Sequence, residues 1–405
     1  MSDSPSTLQS VLAGLPPQLR AAGVYWSKRK APPRATFPLT IATQLPLAKA
    51  EDLKPLCRSW PGPLSAAVLL PLVRGGSVKP DPRDKSGLGL SKDELARVAE
   101  GAAKAAALHK AMEEDGPCQL DLLLVYELYA SAKLVALAYP VNVMRNLARL
   151  QARTPLIASL EPDLMLGGGL ASNLAHRPEA AADLLLRVLG PAATMAQGLA
   201  AAGAGRDAPP RTAVVLPALS THWADNDQGL DEHRQLADSL VRPGVSKAQL
   251  QQFAQHGTLK MHDPFGDTQK ATDTNRWLTT KRWYDVEYRK RYEPWVILDR
   301  RGAPWYDAKF RGYALIARLV HVLQLNASEY TFAVHPRAFL MHRPHKAEPK
   351  PKGGKAAKPD PDAAALQERT LALARTAMAA LGAGNYTPLL DRASEGCRRS
   401  LPWWT

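Results

Sequence analysis

The chain has 405 residues, 45% of them apolar and 22% charged, which is ample for a buried core and long enough for two or three average domains. Its formal net charge of +14 favours an anionic partner, and nucleic acid, an anionic membrane surface or a diphosphate substrate would each satisfy it. Cys57, Cys118 and Cys397 are odd in number and widely spaced, which excludes a CxxC zinc site and predicts no disulfide framework.

Residues 1–36, rich in Pro, Ser and basic residues, read as a flexible leader. Met1 to Gln9 is polar and has no basic stretch followed by an apolar core, so no signal peptide is expected. Leu39–Thr43 is a short β run. Leu53, Leu56, Cys57 and Trp60 then recur at helical spacing until Pro61-Gly62-Pro63 stops the helix, and Ala66–Leu70 is the next strand. This β-α-β opening predicts a parallel sheet. Residues 74–118 interrupt it with a Pro/Lys/Asp loop and an Ala-rich helix, Ser91 to Met112, read as an insertion. Leu120–Tyr126 resumes the β signal, and Val143, Leu147 and Leu150 mark one face of a helix entered after Pro140. Leu156–Leu160 and Ala213–Leu216 read as buried strands, separated by a second Ala/Leu-rich insertion over 171–210. The run Tyr330–Met341 reads as one strand. Residues 346–361 have the Lys/Pro/Gly composition of a disordered linker, and a helix over 362–381 precedes an irregular tail to 405. The most apolar stretches, Leu64–Val73 and Leu120–Tyr139, are too short or too interrupted by charge to span a bilayer.

Glu161-Pro162-Asp163 directly follows the Leu156–Leu160 strand, with Gly167-Gly168-Gly169 just beyond. Acidic residues at the C-terminal end of a parallel strand sit where open α/β sheets bind ligands. Two carboxylates at i and i+2 in a bent loop can hold a hard divalent ion and leave positions for phosphate oxygens, although most acidic loops are merely solvated. Further on, the apolar run closes on His342-Arg343-Pro344-His345, and a strand ending in imidazoles is a common way to present ligands at a sheet edge. Between Trp277 and Trp305 aromatics alternate with Lys281, Arg282, Arg289, Lys290, Arg291, Arg300 and Arg301. That pattern fits a stacking surface for single-stranded nucleic acid, but no RRM, KH or zinc signature accompanies it.

Several segments, taken in order, carry a resemblance. They are Thr43-Gln44-Leu45-Pro46, Cys57 to Leu64, the helix Tyr139 to Arg149 with Asn142, Arg145 and Asn146, the acidic pair, Arg291 to Leu298, Pro304 to Tyr313, and Ala338 to His345. Together they resemble the catalytic domain of glycosyltransferase family 49, the LARGE-type transferases that act on dystroglycan glycans. The resemblance covers Leu39 to His345. It implies a GT-A-like (Rossmann-like) α/β nucleotide-sugar transferase domain over 37–345, interrupted by the Ala-rich helical insertions. It also implies manganese, a UDP-sugar donor such as UDP-glucuronate or UDP-xylose, a glycan or glycoprotein acceptor, inversion at the anomeric carbon, and the Golgi lumen; no nucleic-acid partner is expected.

Carried over residue by residue, the resemblance makes Asp163 the principal metal ligand, with Glu161 standing where the family has Asp. His342 completes the metal site and His345 is its neighbour. Asn142, Arg145 and Asn146 would shape the donor site together with Glu161 and Asp163. Asp307, and after it Glu293, would be the acceptor-side carboxylates from which an inverting transfer draws its base. Two departures bear on activity. Glu161 is one methylene longer than Asp, and Gly312-Tyr313-Ala314-Leu315-Ile316-Ala317 replaces a Gly-Tyr-Gly segment followed by an Asn-Lys pair. The alternative reading is therefore a non-catalytic glycan- or nucleotide-sugar-binding descendant, with a basic single-stranded nucleic-acid-binding protein third.

Overall fold

The computed structural model describes residues 18–29, 37–74, 76, 78–195, 211–221, 229–312, 314–346 and 361–404. Its first strand, β1 (Arg20–Tyr25), falls inside the expected leader and corrects that expectation: Tyr25 lies opposite Leu122, and its hydroxyl donates to the Ala102 carbonyl at 2.8 Å. The rest of the expected leader, 1–17 and 30–36, lies outside the described residues, as do 196–210 of the second insertion and 347–360 of the expected linker.

β2 (Leu39–Pro46), α1 (Leu53–Ser59) and β3 (Pro63–Val73) form the predicted β-α-β unit, with β2 and β3 parallel from Ile41 opposite Leu64 to Pro46 opposite Leu69. The Ala-rich segment forms α2 (Lys92–Asp115). Ser91 and Glu94 start it with a capping box, and Ala105, Leu108 and Met112 pack into the core, so this segment is part of the layer covering the sheet. β4 (Gln119–Tyr129) continues the parallel set beside β3. Cys118, one residue before it, is disulfide-bonded to Cys57 of α1, which overturns the expectation of no disulfide. The two thiols are distant in sequence and become neighbours only once α1 packs across the start of β4.

After α3 (Ala132–Leu137) and α4 (Val141–Gln151), β5 (Leu156–Ser159) joins β2 in parallel. Then come β6 (Leu164–Gly167), α5 (Leu170–His176), α6 (Pro178–Met195), β7 (Thr212–Leu216) and β8 (Ala218–Thr221). Next are α7 (Leu230–Leu240), α8 (Lys247–Gln255), β9 (Leu259–Met261), α9 (Thr274–Thr279), β10 (Tyr284–Val286) and β11 (Trp295–Asp299). The chain continues through α10 (Ala314–Ala327), β12 (Thr331–Val334), β13 (Phe339–His342), α11 (Pro361–Gly382) and α12 (Arg392–Ser400).

The strands make a nine-stranded sheet in the order β1-β4-β3-β2-β5-β11-β7-β12-β10 and a four-stranded sheet β6-β13-β8-β9. The large sheet is mixed, because β11 runs antiparallel to both β5 and β7 at its centre. This is the GT-A-like α/β architecture expected. Successive strand residues feed opposite faces: Ile41 enters one core cluster and Ala42 the other, as do Ala158 and Ile157. The expected single strand Tyr330–Met341 is in fact two strands in different sheets. Pro336 cannot donate to a ladder, and the His335–Arg337 turn carries the chain from the large sheet to the small one.

Among the described residues no helix is long and apolar enough to cross a membrane. Of the aromatics in the basic stretch, Trp277, Tyr284, Tyr292 and Trp295 are buried. Trp283, Tyr288 and Trp305 are partly buried and pack on His335, Phe332 and Trp404.

Candidate active site

β5 ends at Ser159, and the Glu161-Pro162-Asp163 turn hands the chain to β6. The pairing of β6 with β13 then decides what Asp163 meets. Leu164 is opposite His342, and the Arg343 amide donates to the Asp163 carbonyl at 2.8 Å. Asp163 Oδ2 consequently lies 3.4 Å from His342 Nε2 and 3.2 Å from His345 Nε2. The three residues offer ligand atoms all within 4.8 Å of one another. Burial opposes the charge on Asp163, but hydrogen bonds from His342 and His345 outweigh it and hold the carboxyl well below the usual range. A third imidazole backs the cluster: the His262 ring stacks on His342 with centroids 4.3 Å apart, nearly parallel. Burial first, and then the adjacent His342, push His262 down to about 3, so it is neutral.

Glu161 is not in that cluster. The structure gives its carboxylate to three donors instead: Arg145 Nη2 at 3.2 Å, Arg318 Nη1 at 3.1 Å and Trp295 Nε1 at 2.7 Å. The side chain meets donors on α4, α10 and β11, so Glu161 does not share the Asp163, His342 and His345 cluster with which it was expected to bind metal. Burial would raise its carboxyl, but Arg318 and Arg145 keep it low. Arg318 also pairs through Nε with Oε1 of Glu293, although neither atom makes an aligned hydrogen bond. Glu293 is almost wholly buried, and burial pushes its carboxyl up to about 7 despite Arg318. Its backbone is clamped on both sides, the amide donating to Thr268 O and the carbonyl accepting from Gln269 Nε2.

α4 is buried along its whole length, so its polar residues must be satisfied internally. Asn142 Nδ2 donates to the Asp307 carbonyl at 2.9 Å, while Asn146 donates to the Tyr306 carbonyl at 2.7 Å and accepts from the Tyr306 amide at 3.1 Å. Arg149 donates to the carbonyls of Arg300, Ala303 and Pro304. The two asparagines expected to touch a donor thus hold the 300–307 loop; of the three polar α4 residues in the motif, Arg145 alone reaches the carboxylates. Asp307 accepts from the Tyr386 hydroxyl at 2.7 Å and the Lys309 amide at 2.9 Å, and among the described residues it has no ion pair. Its position is that of a loop anchor, and Glu293 is the acidic residue joined to the Glu161 network.

Arg318, Trp295 and His262 went unassigned in the sequence. Trp295 sits inside a quoted motif, but a lone Trp there reads as core. His262 has no motif, and Arg318 follows an apolar run that carries no site signal. Three buried polar atoms of neighbouring strands also lack partners: the Thr43 hydroxyl and Gln44 amide oxygen within β2, one and two residues past the Ala42–Ser159 pair, and the Thr221 hydroxyl beside Ser220, itself opposite His342.

Residues 100–371 match the model of the family described as glycosyl-transferase for dystroglycan. The chain is 27% identical over 318 residues to the mouse xylosyl- and glucuronyltransferase LARGE2, covering 78% of this chain and 35% of that protein. It is 25% identical over 309 residues to the human xylosyl- and glucuronyltransferase LARGE1, covering 76% and 31%. With the glycosyltransferase-like protein LARGE of Caenorhabditis elegans the identity is 23% over 238 residues, covering 59% and 32%. The chain therefore spans about a third of the length of these relatives.

Proposed function

The chain belongs to the family of glycosyl-transferases for dystroglycan, and we propose that it is a metal-dependent, inverting glycosyltransferase. It moves a sugar, glucuronate or xylose, from a UDP-sugar to a glycan or glycoprotein acceptor. The observation that carries this reading is the Asp163, His342 and His345 cluster, linked through His262, Trp295, Glu161 and Arg318 to the buried Glu293.

The donor set of one carboxylate and two imidazoles fits a divalent ion of intermediate softness, manganese by family, better than magnesium, which favours oxygen alone. When bound, such an ion would supply positive charge for the departing diphosphate. Asp163, His342 and His345 would hold that ion, and neutral His262 stacks on the His342 ring. Arg145 and Arg318 bring two guanidinium groups to the donor side, with Glu161 between them. Glu293 accepts the proton of the acceptor hydroxyl as its oxygen bonds the anomeric carbon and the bond to the diphosphate breaks, releasing UDP. A carboxyl raised to about 7 suits that task, because it is basic enough to take the proton and still ionised near neutrality. The Cys57–Cys118 disulfide fits an oxidising compartment such as the Golgi lumen.

The test is sugar transfer and donor hydrolysis over a panel of UDP-sugars with manganese. Wild-type turnover that disappears in Asp163→Ala is expected. A second reading, a non-catalytic nucleotide-sugar binder, is favoured by the saturation of Glu161 with three donors. It predicts metal-dependent UDP binding with no turnover in wild type or in Glu161→Asp.

A further inference from the structure

α10 is an apolar helix with one charged residue, Arg318, among its fourteen. The side chain is only 13% exposed, and a buried guanidinium is tolerated only when it is paired. Here it is paired twice, with Glu161 through Nη1 and with Glu293 through Nε, and its guanidinium carbon lies 5.0 Å from the centre of the Trp295 ring. The planar group thus stands between two carboxylates that would otherwise repel each other, and Trp295, which also donates to Glu161, braces it from the side. On one side is the loop leading to Asp163. On the other is the clamped Glu293.

We infer that Arg318 is the positioning residue of this site, a fork that keeps Glu161 on the donor side and Glu293 on the acceptor side; this rests on the transferase reading above. The charged groups acting on Glu293 are Arg318 from α10, Arg145 from α4 and Glu161 from the loop after β5. With all four ionised the set is neutral. Without Arg318, two carboxylates share one cation, Arg145, and like charges in a buried site do not both ionise, so Glu293, already the less stable anion, takes up a proton. Lys at 318 restores the charge but not the fork, since an ammonium is a point donor and cannot bridge two carboxylates in one plane.

The experiment compares the wild type with Arg318→Met, Arg318→Gln and Arg318→Lys, reading kcat/KM against pH with a UDP-sugar and manganese. In Met and Gln the acid limb should move up by about one pH unit or more, with kcat reduced by about 10²-fold, the scale of a misplaced catalytic group. In Lys the limb should stay at the wild-type position while kcat falls. A neutral variant that keeps the wild-type limb would overturn the inference, whatever its rate. So would a Lys variant whose limb moves as far as that of Met. The same shift is read without turnover by carbon NMR of labelled glutamate carboxyls, with the Glu293 signal assigned by its loss in Glu293→Gln. If no variant and no wild type turns over, but Glu293 titrates higher in Arg318→Met, the transferase reading fails and the fork stands. An unmoved Glu293 signal overturns the fork independently of turnover.

Discussion

Asp163 and Glu161 are two residues apart and do different work, because backbone pairing and side-chain length send them to opposite partners. Asp163 goes to the imidazoles of β13 and Glu161 to the guanidinium groups of α4 and α10. Manganese binding, followed by electron paramagnetic resonance or calorimetry, should therefore weaken by more than the ~10–100-fold typical of outer-shell changes in Asp163→Ala, and by less than that in Glu161→Gln. Comparable losses in both would return Glu161 to the metal set. In the proposed mechanism Glu293 carries the pH dependence. The proposed base must be ionised, so kcat/KM should rise as pH passes through about 7, and Glu293→Gln should lose about 10²–10⁴-fold in kcat. Stability runs the other way. Glu293 is an acid raised by folding, so its contribution is fully present below the ordinary glutamate value and is lost as pH climbs through about 7. Thermal melts at pH 5 and pH 8 should show this loss in the wild type and a smaller one in Glu293→Gln. At this scale the sequence was legible wherever a motif named a residue and the strand register then delivered it, as for Asp163, His342 and His345. It was silent for Arg318 and His262, whose contacts at the site are all with residues far away in the chain.

The β-α-β opening and the helix after Pro140 were legible because periodicity and proline punctuation act locally. The break in Tyr330–Met341 was missed because an apolar run does not say which sheet each half joins, although Pro336 was the available signal. β1 was missed because a half-exposed strand containing glycine has little alternation to read. In α4 the marked asparagines meet backbone groups, partners that the motif does not announce. Asn142 and Asn146 spend their amides on backbone groups of Tyr306 and Asp307, so the helix sets the height of the loop that precedes α10 and Arg318. Asn146→Ala would orphan a buried carbonyl and a buried amide, at about 1–3 kcal/mol for each unsatisfied group. Urea denaturation should show a loss of that order. Turnover measured well below the melting temperature should fall too, because the loop and Arg318 shift together. A variant that is destabilised yet fully active would separate the loop from the site.

Across the whole molecule, the largest feature the sequence concealed is a covalent one. Three scattered cysteines do not announce a bond, and the Cys57–Cys118 pair arises only when α1 packs over the start of β4 within the core beneath Trp60 and Met112. The bond closes a loop across 61 positions that contains β3 and all of α2. Constraining such a loop in the unfolded chain stabilises the fold by about 4 kcal/mol on the chain-entropy account, less any native strain. Replacing both cysteines by Ala should therefore lower stability by about 2–4 kcal/mol in denaturant unfolding. The cluster at Asp163 and the Glu161–Arg318–Glu293 network should be preserved, since they sit in the β5–β6 turn, before β11, at the end of β13 and on α10, outside that loop. UDP and manganese affinities at a temperature where both proteins are folded should accordingly match. Mass spectrometry of the unreduced wild type should recover the Cys57–Cys118 cross-linked peptide, leaving Cys397, which is exposed, open to alkylation. Free thiols at 57 and 118 in protein taken from an oxidising compartment would contradict the bond, and with it the stability difference between the two forms.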